Sequence, residues 1–154
     1  MAEEKKSARE KKALYLKDPK NWIKEVNAAC RIAVIDDSPY ARKTISKMVE
    51  NSGLNFVGEG GNYQEAMMLV SQSKANLLII DVVMPDMTGI EMLDHLRENH
   101  QNLYAVMVSS MDHEQVLLES IAAGALDFIT KPIDEDILHK TLFRLAQQIA
   151  EDSQ

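Results

Sequence analysis

The 154-residue chain is long enough for one domain with a buried core and too short for two ordinary ones; its 45% hydrophobic and 27% charged residues exclude disorder of the whole. No apolar run is long enough to span a bilayer, the start from Met1 to Lys6 lacks the apolar core of a secretory signal, and the single Cys30 fits a reducing cytoplasm. Residues 1–30 hold eight Lys/Arg against five Asp/Glu, a net of +3, so the overall −7 leaves −10 for the rest, an acidic body unsuited to binding nucleic acid through its phosphates.

Taken in chain order, the first 30 residues read as an extension that is partly helical. Lys5, Lys6, Arg9, Lys11 and Lys12 alternate with Glu3, Glu4 and Glu10, as in a solvated helix or a disordered stretch. Asp18-Pro19 is a plausible helix start, and Trp22, Ile23 and Val26 then form an apolar stripe. This predicts a helix over 19–29 that docks on its own domain or, by self-association, on a second copy.

From residue 31 to about 150, short apolar runs alternate with helix-period segments. Residues 31–36 read as a strand; Ser38-Pro39 then supplies an N-cap and a first-turn proline for a helix that Asn51-Ser52-Gly53 stops. Residues 54–58 read as a weaker strand, and Asn62 with Glu65 forms a capping pair ahead of Ala66, Met67, Leu69 and Val70. Leu77 to Ile80 is a continuous apolar run, the pattern of a strand covered on both faces, and it ends in Asp81.

A turn-rich loop over 84–89 leads into a helix over 89–99, and residues 105–108 form another buried strand that ends in Ser109-Ser110. Asp112 caps a helix that runs to Gly124, residues 127–130 make a last strand before Lys131-Pro132, and a final helix covers about 134–150. Residues 151–154 are left as a tail. Five strands alternating with five helices imply an α/β domain with a parallel sheet and right-handed crossovers.

In open parallel sheets ligands bind beyond the carboxyl ends of the strands. Those ends supply Asp36 and Asp37, then Asp81, Ser109 and Lys131, whereas the second strand offers nothing comparable. Three carboxylates at one edge call for a hard cation such as Mg²⁺, while Lys131 and Ser109 suit the oxygens of a transferring phosphoryl group and Asp81 suits the nucleophile. Each residue also has a plain structural reading: Asp36-Asp37 as a helix cap, Asp81 as a turn former, Lys131-Pro132 as loop. The combination, in order, at four strand ends carries the specificity.

The runs Val34-Ile35-Asp36-Asp37-Ser38, Ile80-Asp81-Val82-Val83-Met84-Pro85-Asp86-Met87-Thr88-Gly89, Val106-Met107-Val108-Ser109-Ser110, Gly124-Ala125-Leu126-Asp127-Phe128 and Lys131-Pro132 resemble the receiver domain of two-component response regulators, single-domain chemotaxis type, from end to end. The resemblance implies a doubly wound, flavodoxin-like sheet of order 2-1-3-4-5. It implies that a histidine kinase phosphorylates Asp81, that Asp37, Asp81 and the backbone carbonyl of Val83 bind Mg²⁺ directly with Asp36 acting through water, and that Ser109 and Lys131 hold phosphoryl oxygens. Phe128 falls where the family carries a switch aromatic, often Tyr, and Phe128 lacks the hydroxyl. The switch would involve Ser109, Phe128 and the elements around them.

With no residues left beyond the last helix for a DNA-binding output, signalling is expected to go through a partner protein. A flagellar motor switch protein is the commonest such target by analogy, and a phosphorelay or kinase-network role is the alternative. Val83 and Met111, apolar and two residues past Asp81 and Ser109, cannot orient an attacking water, so slow to moderate self-dephosphorylation is expected, with room for an external phosphatase. The protein is not expected to be an enzyme. A haloacid-dehalogenase-like phosphatase would carry Asp-x-Asp on its first strand, where adjacent Asp36-Asp37 stand here, and a flavodoxin-like cofactor site would carry a Gly- or Ser-rich loop there.

Overall fold

Alternate residues of each central strand face opposite layers of the core. Ile32 and Val34 point with Leu77, Ile79, Val106 and Val108 into one apolar cluster; Ala33 and Ile35 point with Leu78, Ile80, Ala105 and Met107 into the other. That two-sided burial is why Leu77 to Ile80 carries no polar residue, and all five residues of its strand are buried.

The computed structural model describes residues 19–111 and 113–153. In order, the elements are α1 (Pro19–Ala29), β1 (Ile32–Ile35), α2 (Pro39–Asn51), β2 (Phe56–Gly60), α3 (Tyr63–Ser71), β3 (Leu77–Asp81), α4 (Gly89–Asn99), β4 (Tyr104–Ser109), α5 (Glu114–Ala122), β5 (Asp127–Thr130) and α6 (Glu135–Asp152). The five strands form one parallel sheet of order β2-β1-β3-β4-β5. Helices α1, α2 and α6 cover one face, and α3 and α4 pack on the other.

Local signals set most helix starts. Ser38 Oγ accepts from the Ala41 N–H, and Pro39 sits in the first turn of α2. Asn62 Oδ1 accepts from the Glu65 N–H at 2.9 Å, while Glu65 Oε1 accepts from the Gly61 N–H at 3.1 Å, a reciprocal cap for α3. Gly124 follows α5 at a φ of +94°, a conformation L side chains rarely adopt.

The first strand, Ile32–Ile35, is one residue shorter at each end than expected and the fourth, Tyr104–Ser109, one residue longer at each end; three further boundaries also differ. The second strand covers 56–60 instead of 54–58, because Leu54 drops into the core below α2 and the pairing with β1 skips Val57, a bulge that carries the strand on through Glu59 and Gly60. Helix α5 starts at Glu114 behind His113, which makes no side-chain cap; the expected cap Asp112 lies outside the described residues. The last helix continues to Asp152, two residues into the expected tail, where Tyr104 Oη donates to Asp152 Oδ2 at 2.7 Å.

Helix α1 docks on its own domain. Val26 and Cys30 are buried in the same cluster as Leu142, Leu145 and Ile149 of α6, and the Trp22 ring lies 6.3 Å from that of Phe143. Asn27 Nδ2 donates to the Gly53 carbonyl, and Asn55 Nδ2 donates to the Asn27 carbonyl. Burial pushes the Cys30 thiol up to about 12 against the opposing charge of Arg31, so it stays protonated and inert.

Deleting residues 1–29 removes this cover, so urea denaturation should show a loss of about 2–4 kcal/mol, on the usual worth of one fully and one partly buried apolar side chain. Cys30 should become labelled by a thiol reagent in the same variant. Unchanged stability with Cys30 still protected would refute the docking.

Candidate functional site

The pairing register assembles the site. Ile35 pairs with Ile80, so the residues that follow them, Asp36 and Asp81, emerge side by side from adjacent central strands. Asp81 pairs with Val108, which puts Ser109 one step beyond it, and Ser109 pairs with Thr130, the residue before Lys131. The Lys131 N–H donates to the Ser109 carbonyl at 2.8 Å, closing this end of the sheet. The Lys131–Pro132 peptide is cis.

Carboxylate oxygens of Asp36, Asp37 and Asp81 all lie within 4.8 Å of one another. Asp36 is fully buried, Asp81 is 8% exposed, and Asp37 stands exposed at the rim. Lys131 Nζ reaches between the two inner carboxylates, 2.9 Å from Asp36 Oδ2 and 3.5 Å from Asp81 Oδ2. The other oxygen of Asp36 accepts from the Ser38 N–H at 2.9 Å, and that of Asp81 accepts a longer contact, 3.4 Å, from the Val83 N–H. Buried Ser109 keeps its hydroxyl by accepting from the Met111 N–H at 3.0 Å.

Burial, reinforced by the negative charge of Asp36, raises the Asp81 carboxyl above its ordinary range, while Lys131 pulls the other way. For Lys131, burial alone would lower the ammonium, but its hydrogen bond to Asp36 and the charges of Asp81 and Asp36 outweigh that and raise it. The lysine therefore stays charged at neutral pH. Three carboxylates against one lysine leave a local charge of about −2 when all are ionised, close to what one divalent cation balances. An all-oxygen donor set with one carboxylate open at the rim fits a hard cation that keeps water ligands.

Two supports escaped the sequence reading. Gly89 opens α4 against the back of the site: a Cβ there would stand 2.2 Å from the Asp81 carbonyl oxygen and 2.8 Å from Ile80 Cγ2, so only glycine lets the helix begin this close. Arg42 Nη1 donates to the Asp36 carbonyl at 2.8 Å, and its Nε pairs with Glu59 Oε1 at 3.4 Å. Ser46 Oγ holds the other oxygen of Glu59 at 2.7 Å. The second strand, expected to contribute nothing, thus anchors the arginine that fixes the Asp36 loop. The available signal was Glu59, a charge in a strand of otherwise apolar and glycine residues.

The remaining expected residues lie around this centre. Val83 and Met111 are exposed beside it. Phe128 is half-buried on β5, paired with Met107, and packs against the α3/α4 cluster. No helix among the described residues is long and apolar enough to cross a membrane.

Residues 32–143 match the family described as the response regulator receiver domain. The chain is 30% identical over 118 residues to the chemotaxis protein CheY of Bacillus subtilis (strain 168), covering 74% of this chain and 98% of that protein. It is 33% identical over 119 residues to the transcriptional regulatory protein BtsR of Escherichia coli (strain K12), covering 77% of this chain but 48% of BtsR. A solved CheY-like receiver from Methanospirillum hungatei JF-1 shares the fold with a TM-score of 0.72 at 21% identity, over 80% of this chain and 98% of that one.

The raised Asp81 carboxyl has a measurable consequence for stability. A folded-state pKa above the unfolded one means that ionising Asp81 costs folding free energy; the cost is absent below about pH 3.8 and complete above the raised folded value. In chelator at pH 7, Asp81→Asn should therefore melt a few degrees higher than wild type, and the gap should close as the pH falls through the acid range. Equal melting temperatures at pH 7, or a gap that widens in acid, would count against the electrostatic account.

Proposed function

Because the chain belongs to the response regulator receiver family, we propose that it accepts a phosphoryl group on Asp81 from a histidine kinase and passes the signal to a protein partner by a change of conformation. The observation that carries this reading is the Lys131 ammonium bridging Asp36 and Asp81, at 2.9 and 3.5 Å, within a three-carboxylate cluster. In the transfer, an Asp81 oxygen attacks phosphorus, the bond from phosphorus to the donor nitrogen breaks, and the imidazole leaves with the electron pair. Lys131 keeps Asp81 ionised before attack and meets the added oxygens after it, and the Ser109 hydroxyl turns from the Met111 N–H toward them.

Asp37, Asp81 and the Val83 carbonyl would hold Mg²⁺, with Asp36 acting through water. Bound there, the cation supplies the charge that neutralises the phosphoryl oxygens. The movement of Ser109 frees space beside β5 for Phe128, and this couples the site to α5. Leu118 and Ile121 of α5 are exposed, with Leu126 close by, and give an apolar face for a protein target.

The match to a chemotaxis protein over 98% of that protein's length favours a flagellar motor switch target in the cytoplasm over a phosphorelay or kinase-network role. Asp81 holds the group as a signal and does not turn over a separate substrate. Exposed Val83 and Met111 offer no side chain that could orient a hydrolytic water, so an external phosphatase ends the signal.

Incubation with acetyl phosphate and Mg²⁺ should add one phosphoryl mass to wild type and none to Asp81→Asn, and chelator should abolish the addition. Equal labelling of both proteins would sink the assignment. Val83→Asn should shorten the phosphoryl lifetime several-fold by offering a water an amide partner. A wild-type lifetime of only a few seconds would contradict the role given to Val83 and Met111.

A further inference from the structure

The carboxylates of the site are held to different degrees. Every polar group of Asp36 is bonded: its N–H donates to the Gly60 carbonyl at 3.0 Å, its carbonyl accepts from Arg42 Nη1 at 2.8 Å, and its carboxylate oxygens accept from the Ser38 N–H and from Lys131 Nζ, each at 2.9 Å. Asp37 stands exposed at the rim, yet its carboxylate still comes within 4.8 Å of the other two. Peptide planarity joins these facts. The Asp36 carbonyl and the Asp37 N–H belong to one rigid unit, so whatever fixes that carbonyl also fixes the direction in which the chain enters Asp37.

Arg42 is the group that fixes it, and Arg42 is itself held. Its Nε pairs with Glu59 Oε1 at 3.4 Å, and Ser46, buried one turn further along α2, donates from Oγ to Glu59 Oε2 at 2.7 Å. A planar guanidinium suits this place because its fork reaches two acceptors at once. Gly61 leaves the space for it: a Cβ there would stand 2.8 Å from Arg42 Nη1. Glu59 has a second effect. The carbonyl that Arg42 grips belongs to a residue whose carboxylate is part of the cluster, so an unpaired guanidinium there would add its charge to that of Lys131 and weaken the hold on a cation. Glu59 cancels that charge from β2.

Resting on the metal reading given above, we propose that Arg42 is a positioning residue for the divalent cation: through the Asp36–Asp37 peptide it aims the Asp37 carboxylate, and Glu59 keeps its charge clear of the cluster. The second strand, which lends the site no ligand, thereby sets how tightly the ligands take the ion.

Titration of the full chain with Mg²⁺ and no phosphodonor, followed by calorimetry, separates this role from that of Asp81. Arg42→Lys keeps the charge but puts one ammonium where two acceptors were held. It should weaken Mg²⁺ binding by about 3–10-fold, less than the usual loss for a direct partner of a ligand because Arg42 acts through the backbone. Glu59→Gln should weaken it in the same direction. Gly61→Ala retains Arg42 and pushes its fork off the carbonyl, and only the end of a flexible side chain has to yield. This variant should melt close to wild type and still lose affinity several-fold. Arg31→Lys is the control: Arg31 also ties carbonyls, those of Ala28 and Lys74, but at the opposite end of β1. It should melt lower and keep its Mg²⁺ affinity. Wild-type affinity in Arg42→Lys or Gly61→Ala, or an equal loss in Arg31→Lys, would overturn the positioning role and leave the phosphoacceptor untouched. A wild type that binds no Mg²⁺ would overturn the metal reading and this role with it.

Discussion

Asp36 and Asp81 emerge from neighbouring central strands with one lysine between them, and much of the structure exists to make that arrangement tolerable. Two carboxylates so close, mostly out of water, repel each other and lose hydration. Lys131 offsets part of this from the end of β5, at 2.9 and 3.5 Å. It can do so only because β4 lies between β3 and β5 and the Lys131 N–H is tied to the Ser109 carbonyl. The cost left over is visible in the raised Asp81 carboxyl. A site that is electrostatically incomplete has the most to gain from a divalent cation and, after that, from a group that brings oxygens to the lysine.

The same constraint links the site to the rest of the domain. Gly89 brings the start of α4 against the Asp81 carbonyl, and Arg42 joins the Asp36 loop to β2 through Glu59. Ser109 belongs both to the site and to the ladder that positions β5, whose Phe128 is neither fully buried nor free. In the proposed function, a change in what the Ser109 hydroxyl bonds would be felt first at β5 and α5, where Leu118 and Ile121 are exposed. Helix α1 braces the opposite face of the sheet, packed on α6.

Much of this was legible in the sequence because it is written in short-range chemistry. The apolar run before Asp81, the Ser38-Pro39 cap and the Asn62–Glu65 pair each report a local rule, and each is present as read. The four strand ends that build the site could be located once an alternating β/α order was granted. What escaped depends on neighbours distant in sequence. The bulge at Val57 follows from pairing with β1, so apolar content alone placed that strand two residues early. Arg42 and Glu59 look like ordinary surface charges until β2 and α2 are set side by side. Gly89 reads as a turn residue, and only the approach of α4 to Asp81 shows why a side chain cannot stand there. Whether α1 would dock on its own domain or on another copy was likewise undecidable from an apolar stripe, which states that a surface is buried but not against what.

The proposed function requires that Asp81, and neither of the carboxylates beside it, becomes the acyl phosphate. Borohydride reduces an acyl phosphate to the alcohol, so trapping after phosphorylation followed by peptide mapping reads the position directly. Homoserine is expected at residue 81, with Asp36 and Asp37 unchanged. Reduction at Asp36 or Asp37, or a phosphorylated protein with Asp81 intact, would contradict it.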